Sequence, residues 1–281
     1  MEQSKEKGIL SKFSLEDRVA IVTGSGSGLG KGIALAFAQD GAHIVVAELD
    51  ASKGKATAEE VRALGRKALP IATDVLDSEQ VKVLVDKTVA EFGRIDILVN
   101  NVGGTPAKRA PVVFMPEDVW DGILNLNLKG TFLCSRAVSR VMMDQGSGNI
   151  INISSRAGLM PFPSQAPYGV AKAGIVNFTG SLALQLAPYH IRVNAIAPTM
   201  VATRNTGHHR YLGDMDERVQ KRGVPLGRVG RVEDIALAAI YLASDASDYV
   251  TGITIPVMGG PYLGGKMLEE AQDTWQITKS P

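Results

Sequence analysis

Tyr168 and Lys172 stand four residues apart at the start of a stretch with helical periodicity, so both side chains leave one helix face within reach of a common ligand. A free tyrosine loses its proton at about pH 10, too high for an efficient base at neutral pH, but a neighbouring ammonium favours phenolate. Proton exchange with a substrate oxygen then becomes feasible. Far upstream, Thr23-Gly24-Ser25-Gly26-Ser27-Gly28-Leu29-Gly30 joins a β-branched run to a helical pattern. In that position a phosphate rests on exposed N–H groups and on the positive end of the helix dipole. A phosphate-bearing cofactor is implied. The loop is not a Walker loop, because Gly30-Lys31 would need glycine in place of Ser25 and Ser or Thr in place of Gly32. Strict GxGxxG also fails, since the third glycine would fall on Leu29.

The spacing that fits is TGxxxGxG, and further matches follow in order. They are Asp74-Val75 after the third β-rich run, Asn100-Asn101-Val102-Gly103 after the fourth, Asn127 in a helix, and Ser155, Tyr168 and Lys172. Asn194-Ala195-Ile196-Ala197-Pro198 and a closing Gly259-Gly260 complete the series. On these residues the chain resembles the short-chain dehydrogenase/reductase family along nearly its whole length. The resemblance implies a nicotinamide dinucleotide and hydride transfer between an alcohol and a ketone, with Tyr168 handling the proton on oxygen. An oxidised nicotinamide would favour phenolate further. Ser155 is then expected to hydrogen-bond the substrate oxygen, and Lys172 to bind the nicotinamide ribose. Asn127 is expected to hold a water in a proton relay behind the lysine. Ser154 and Asn125 are the competing neighbours.

Around the cofactor, the resemblance implies contacts from Gly24, Ser27, Gly28, Leu29 and Gly30 in the loop and from Asp74 and Val75 at the adenine. Asn101 and Gly103 would wall the ribose and nicotinamide, and Pro198, Val201 and Thr203 would lie toward the carboxamide and pyrophosphate. Asn100 is expected to bond neighbouring backbone in a structural role. Glu48 ends the second β-rich run 18 residues beyond Gly30, where a carboxylate can accept hydrogen bonds from the adenosine ribose. A 2′-phosphate would place negative charge beside it, and Ser25, Ser27 and Leu49 offer no cation. NAD is therefore expected rather than NADP.

Some positions depart from the family. Val102 replaces the usual Ala, Thr199 replaces the Gly that follows Pro198 and lets the backbone pass the nicotinamide, and Met258 replaces an Asp before the last glycines. Met258 is assigned to packing or subunit contact. The polar segment 204–223 is expected to form a lid that excludes water on closing. Specificity is expected there and at Arg156, Met160, Phe162 and Gln165. Lys108, Arg109, Arg156, Arg204 and Arg210 fall in loops bordering the expected cleft mouth and suit an anionic substrate, whereas Met160 and Phe162 suit a hydrophobic ring. His208-His209 lack further ligands at chelating spacing, so no metal is expected.

These residues need a scaffold, and the pattern supplies one. β-branched runs at 19–23, 43–48, 68–73, 96–100, 149–154, 192–197 and 252–257 alternate with helical patterns at 31–39, 52–64, 78–92, 116–143, 164–186 and 232–243. The runs are almost continuously apolar, as expected of strands covered on both faces. The expected fold is α/β, a single-domain, Rossmann-type, doubly wound parallel sheet of about seven strands over 15–260. Residues 1–14 are expected to be a flexible arm and 261–281 a tail.

Thirty basic against 29 acidic residues leave a net charge of +1, which excludes a polyanion-binding role driven by overall charge. No apolar stretch is long enough for a membrane span or a secretion signal, and the single cysteine, Cys134, fits a reducing compartment. The expectation is a cytoplasmic NAD-dependent enzyme interconverting a secondary alcohol and a ketone. By resemblance it is a homotetramer built on the long helices, where Gly174 and Gly180 permit close contact. One alternative is an acyl-carrier-protein-linked ketoacyl reductase, which Glu48 disfavours. Another is a non-catalytic NAD-binding module, which has no need of Asn127, Ser155, Tyr168 and Lys172 together.

Overall fold

The apolar runs become strands β1 (Val19–Thr23), β2 (His43–Glu48), β3 (Ala68–Ala72), β4 (Ile97–Asn100), β5 (Gly148–Ile153), β6 (Ile191–Pro198) and β7 (Thr254–Val257). All pair in parallel, in the order β3-β2-β1-β4-β5-β6-β7. The computed structural model describes residues 8–105, 111–161, 165–203 and 224–260. Pro70 and Pro256 lie in β3 and β7, the two edge strands, where a missing N–H breaks no interior ladder.

The helices are α1 (Gly28–Gln39), α2 (Ala51–Ala63), α3 (Ser78–Phe92), α4 (Glu117–Leu124), α5 (Gly130–Gln145), α6 (Ala166–Leu186) and α7 (Val232–Ala243). Asp50 and Asp77 start α2 and α3 by accepting from the backbone N–H groups of Ser52 and Lys53 and of Glu79 and Gln80. Strand alternation divides the core. Ala20 and Val22 pack with Ile33, Phe37, Ile235 and Leu242 on one face, while Val19 and Ile21 pack with Leu84, Met142 and Leu182 on the other. Fully burying a Val, Leu, Ile, Met or Phe side chain of this kind contributes about 1.5–3 kcal/mol. No helix among the described residues is long and apolar enough to cross a membrane.

Two elements differ from the sequence reading by more than two residues. α1 begins at Gly28 rather than at 31, because its first turn carries two glycines that a propensity pattern passes over. The single helix expected over 116–143 is α4 and α5 joined by a π-helical turn, Asn125–Lys129. That turn widens the backbone ladder, and side chains bond the loosened carbonyls: Asn127 Nδ2 donates to Ile123 O at 2.9 Å, and Thr131 Oγ1 to Asn127 O at 3.2 Å. Apolar spacing continues through it almost unchanged, so periodicity could not reveal it. Within the expected arm, Ile9–Phe13 form a 3-10 turn whose Phe13 ring meets Tyr241.

β1 pairs with both β2 and β4, so the strand order reverses there and leaves a crevice at the carboxyl ends of the strands. Asp96, 4% exposed, secures this junction: it accepts the Val19 N–H at 2.8 Å and pairs with Arg94. Asp96→Ala would leave the Val19 N–H buried without an acceptor, and urea denaturation should show a loss of about 1–3 kcal/mol. An unchanged midpoint would remove Asp96 from this role.

Candidate active site

A cleft of about 1080 Å³ occupies the crevice. At one end the glycine loop passes under the end of β2. Glu48 Oε2 accepts the Gly26 N–H at 2.8 Å and Oε1 the Asp50 N–H at 3.3 Å. A Cβ at residue 26 would stand 2.7 Å from Glu48 Cγ, so any larger residue would push the Glu48 carboxylate off the loop. Ser27 precedes α1 without a side-chain cap, which leaves the helix N-terminus built from backbone N–H groups. Gly24, Ser27, Leu29, Glu48, Asp74, Val75, Asn101 and Gly103 all line the cleft. Gly28 and Gly30 sit in the first turn of α1 without lining it. Asn101 also latches the loop, with Nδ2 donating to Thr23 O at 3.0 Å.

At the other end, Ser155, Arg156, Gln165, Tyr168, Lys172, Pro198, Val201 and Thr203 line the cleft. Lys172 is 3% exposed; its Nζ donates to Ile153 O at 2.8 Å and lies 5.6 Å from the centre of the Tyr168 ring. Burial lowers its pKa to about 8. Burial also raises the half-buried Tyr168 phenol, and the hydrogen bond with Ser155 opposes this only in part. In the ligand-free protein, then, desolvation outweighs the Ser155 hydrogen bond; the expected phenolate calls on an oxidised nicotinamide as well as on the lysine. Ser155 Oγ accepts the Ala157 N–H at 3.1 Å, and Ser154 Oγ donates to Lys172 O at 2.9 Å, so the competing serine anchors α6.

Asn127 is fully buried behind the cleft rather than on its wall. Its Oδ1 accepts the Gly104 N–H at 2.9 Å and its Nδ2 donates to Gly104 O at 2.8 Å, so these bonds go to the loop after β4. A Cβ at Gly103 would lie 2.6 Å from Asn127 Oδ1 and 3.0 Å from Lys172 Nζ. Asn100 is structural as expected, but it bonds side chains rather than neighbouring backbone: its Nδ2 donates to Ser135 Oγ and Asn152 Oδ1, both at 2.9 Å.

Met160 does not line the cleft, because the chain turns back at Arg156–Gly158 and the Met160 N–H bonds Arg156 O at 3.1 Å. Phe162, Lys108, Arg109, Arg204, Arg210, the expected lid and His208-His209 lie outside the described residues. Among those described, no three His, Cys, Asp or Glu residues group as metal ligands. Leu49, which the sequence reading weighed only as offering no cation, and Thr73, which it missed, also line the Glu48 end; their positions just past strand ends were the available signal.

Residues 24–261 match a family model described as enoyl-(acyl carrier protein) reductase. The chain is 39% identical over 246 residues to a 3-oxoacyl-(acyl-carrier-protein) reductase of Thermotoga maritima, covering 88% of this chain and 98% of that protein. A gluconate 5-dehydrogenase from Burkholderia cenocepacia, solved with NADP and tartrate, superimposes with a TM-score of 0.82 at 37% identity over 89% of this chain and 97% of that one. A 7α-hydroxysteroid dehydrogenase complexed with NADH and 7-oxo glycochenodeoxycholic acid gives 0.83 at 31% identity over 89% and 96%.

The lysine makes stability depend on pH. Its folded pKa, about 8, lies below its unfolded value, so its burial cost is fully present below pH 8. That cost is relieved as pH rises, because between the two values the unfolded chain binds more protons. Tyr168, raised in the fold, acts in the opposite sense only above its unfolded value of about 10. Wild-type protein should gain roughly 2 kcal/mol relative to Lys172→Met between about pH 7 and 9.5 in denaturant titrations. Parallel stability profiles would refute the buried amine.

Proposed function

Because the chain belongs to the short-chain dehydrogenase/reductase family of oxidoreductases, which bind nicotinamide cofactors, we propose that it is an NAD-dependent enzyme interconverting a secondary alcohol and a ketone. The observation that carries this reading is the meeting of Ser155, Tyr168 and Lys172 at one end of a cleft whose other end holds Glu48 against the glycine loop. The fit is chemical as well as spatial: the N–H groups at the start of α1 suit a pyrophosphate, and a carboxylate suits a ribose diol.

Hydride acceptance or return is the chemistry a bound nicotinamide supplies. Tyr168 takes the alcohol proton on its oxygen, or gives one to the ketone. Ser155 donates to the substrate oxygen as charge develops there. Lys172 keeps a cation beside the phenol, binds the nicotinamide ribose and opposes the desolvation that raises Tyr168. Asn127 positions Gly103 and Gly104 against the lysine; its Nδ2 is committed to Gly104 O and Ile123 O. With the phenol held protonated, ketone reduction proceeds at neutral pH and alcohol oxidation speeds up as pH rises.

NAD is favoured over NADP because a 2′-phosphate would meet Glu48. The cations among the described cleft residues, Arg156 and Lys172, stand at the opposite end. Arg156 beside Ser155 favours an anionic alcohol. An exposed groove of about 510 Å³ along α4, α5 and α6, lined by Leu124, Leu128, Phe132, Gly174 and Phe178, supports assembly as a homotetramer. The reducing cytoplasm suits a lone buried Cys134 whose thiol burial pushes up to about 12. The Thermotoga relative favours one second reading, a 3-oxoacyl reductase.

A panel of sterols, cyclic diols, sugar acids, hydroxy acids and 3-oxoacyl thioesters, followed by NADH absorbance, tests the reading. Tyr168→Phe should lose at least about a hundredfold in turnover, the scale of general acid–base catalysis, with NADH still bound. Undiminished turnover in Tyr168→Phe would overturn the mechanism. Glu48→Ser should lower the NADH-to-NADPH preference in kcat/KM by about tenfold or more, the value of one charge-assisted contact. A wild-type preference for NADPH would instead support the 3-oxoacyl reductase.

A further inference from the structure

Among the described residues whose buried side-chain polar atoms have no hydrogen-bond partner, Thr199 alone lines the cleft. Its Oγ1 is shut away from water without a donor or acceptor, an arrangement that costs free energy unless a ligand group completes it. Hydroxyls at other strand ends are engaged: Thr23 Oγ1 with Val99 O, Thr73 Oγ1 with Ile71 O, and Ser154 Oγ with Lys172 O.

The backbone around Thr199 is held on both sides. Pro198 ends β6 in register with Val257, and Val201 bridges Gly230, with Gly230 N–H bonding Met200 O at 2.9 Å and Ala202 N–H bonding Gly230 O at 2.8 Å. The position of Thr199 is therefore set by the sheet.

That position is at the reacting end. β6 adjoins β5, with Ile196 opposite Ile153, so the exits leading to Thr199 and Ser155 are neighbours. Glu48 ends β2, across β1, β4 and β5 from β6, or roughly 19 Å at the usual strand spacing. A dinucleotide bound with its adenosine ribose at Glu48 and extended along the cleft would bring its nicotinamide toward Thr199. Because its Oγ1 is shut away from water in the ligand-free protein, the hydroxyl reaches a ligand by a staggered rotation about the threonine Cα–Cβ bond.

We propose that Thr199 is a cofactor-positioning residue whose hydroxyl hydrogen-bonds the carboxamide of the nicotinamide, adding a side-chain contact where the family's glycine has none. This inference rests on the nicotinamide reading of the cleft.

The test titrates full-length wild type, Thr199→Val and Thr199→Ser with NADH and with ADP-ribose, which lacks the nicotinamide, by calorimetry. Thr199→Val should bind NADH about three- to tenfold more weakly, the worth of one neutral hydrogen bond, and Thr199→Ser should stay within about twofold of wild type. ADP-ribose should bind all three equally, and ligand-free Thr199→Val should melt at or above the wild-type temperature because no hydroxyl is left orphaned. Equal NADH affinity in Thr199→Val and wild type overturns the proposal. So does a serine variant as weak as the valine one, a parallel loss of ADP-ribose, or an effect confined to the KM of the alcohol. Wild type that binds ADP-ribose but gains nothing from the nicotinamide half overturns the Thr199 contact alone. Wild type that binds neither ligand overturns the cofactor reading beneath it.

Discussion

The burial of one amine governs the Tyr168 end of the cleft. Lys172 lies at the carboxyl end of β5, with its Nζ on Ile153 O and its own carbonyl held by Ser154. Taking an ammonium out of water is costly, and the cost appears as a pKa lowered to about 8. The same dry surroundings push Tyr168 upward. Both groups are thus biased toward their neutral forms before any ligand arrives. In the proposed reaction, the positive charge that makes tyrosine a base comes in part from the oxidised cofactor, which couples proton transfer to cofactor binding.

A layer of polar side chains behind the cleft holds this pair in place. Asn100 bonds Ser135 and Asn152, and Asn152 bonds Thr179 in α6, so β4, β5, α5 and α6 share one buried network. The Asn100 amide donates twice within it, while its Oδ1 has no hydrogen-bond partner. The π turn separately sets Asn127 on Gly104. Gly103 then passes between the asparagine and the lysine, where a methyl group would collide with both. This wall is tight because backbone, rather than side chain, fills the space beside the amine.

Charge is distributed along the cleft in the same order as the strands. Glu48 and Asp74 follow β2 and β3, the start of α1 lies near the middle, and Arg156 and Lys172 follow β5. A parallel sheet brings all these carboxyl ends to one edge, and the reversal between β1 and β4 opens that edge to a ligand. The separation of acidic and basic ends is therefore a product of topology as well as composition, since the whole chain is nearly neutral.

Much of this was legible in the residues. Alternating apolar runs specified seven strands and their helices because strands covered on both faces must be apolar throughout. The glycine loop, Glu48, Ser155, Tyr168 and Lys172 were legible because strand ends and helix starts carry recognisable residues at short spacing. Three things were decided only in three dimensions. The π turn was hidden because it leaves apolar periodicity intact, and the displacement of Met160 from the cleft arose from a turn made by backbone hydrogen bonds. The upward direction of the Tyr168 pKa was set by desolvation, which depends on what the rest of the chain packs around the phenol and not on the lysine four residues away.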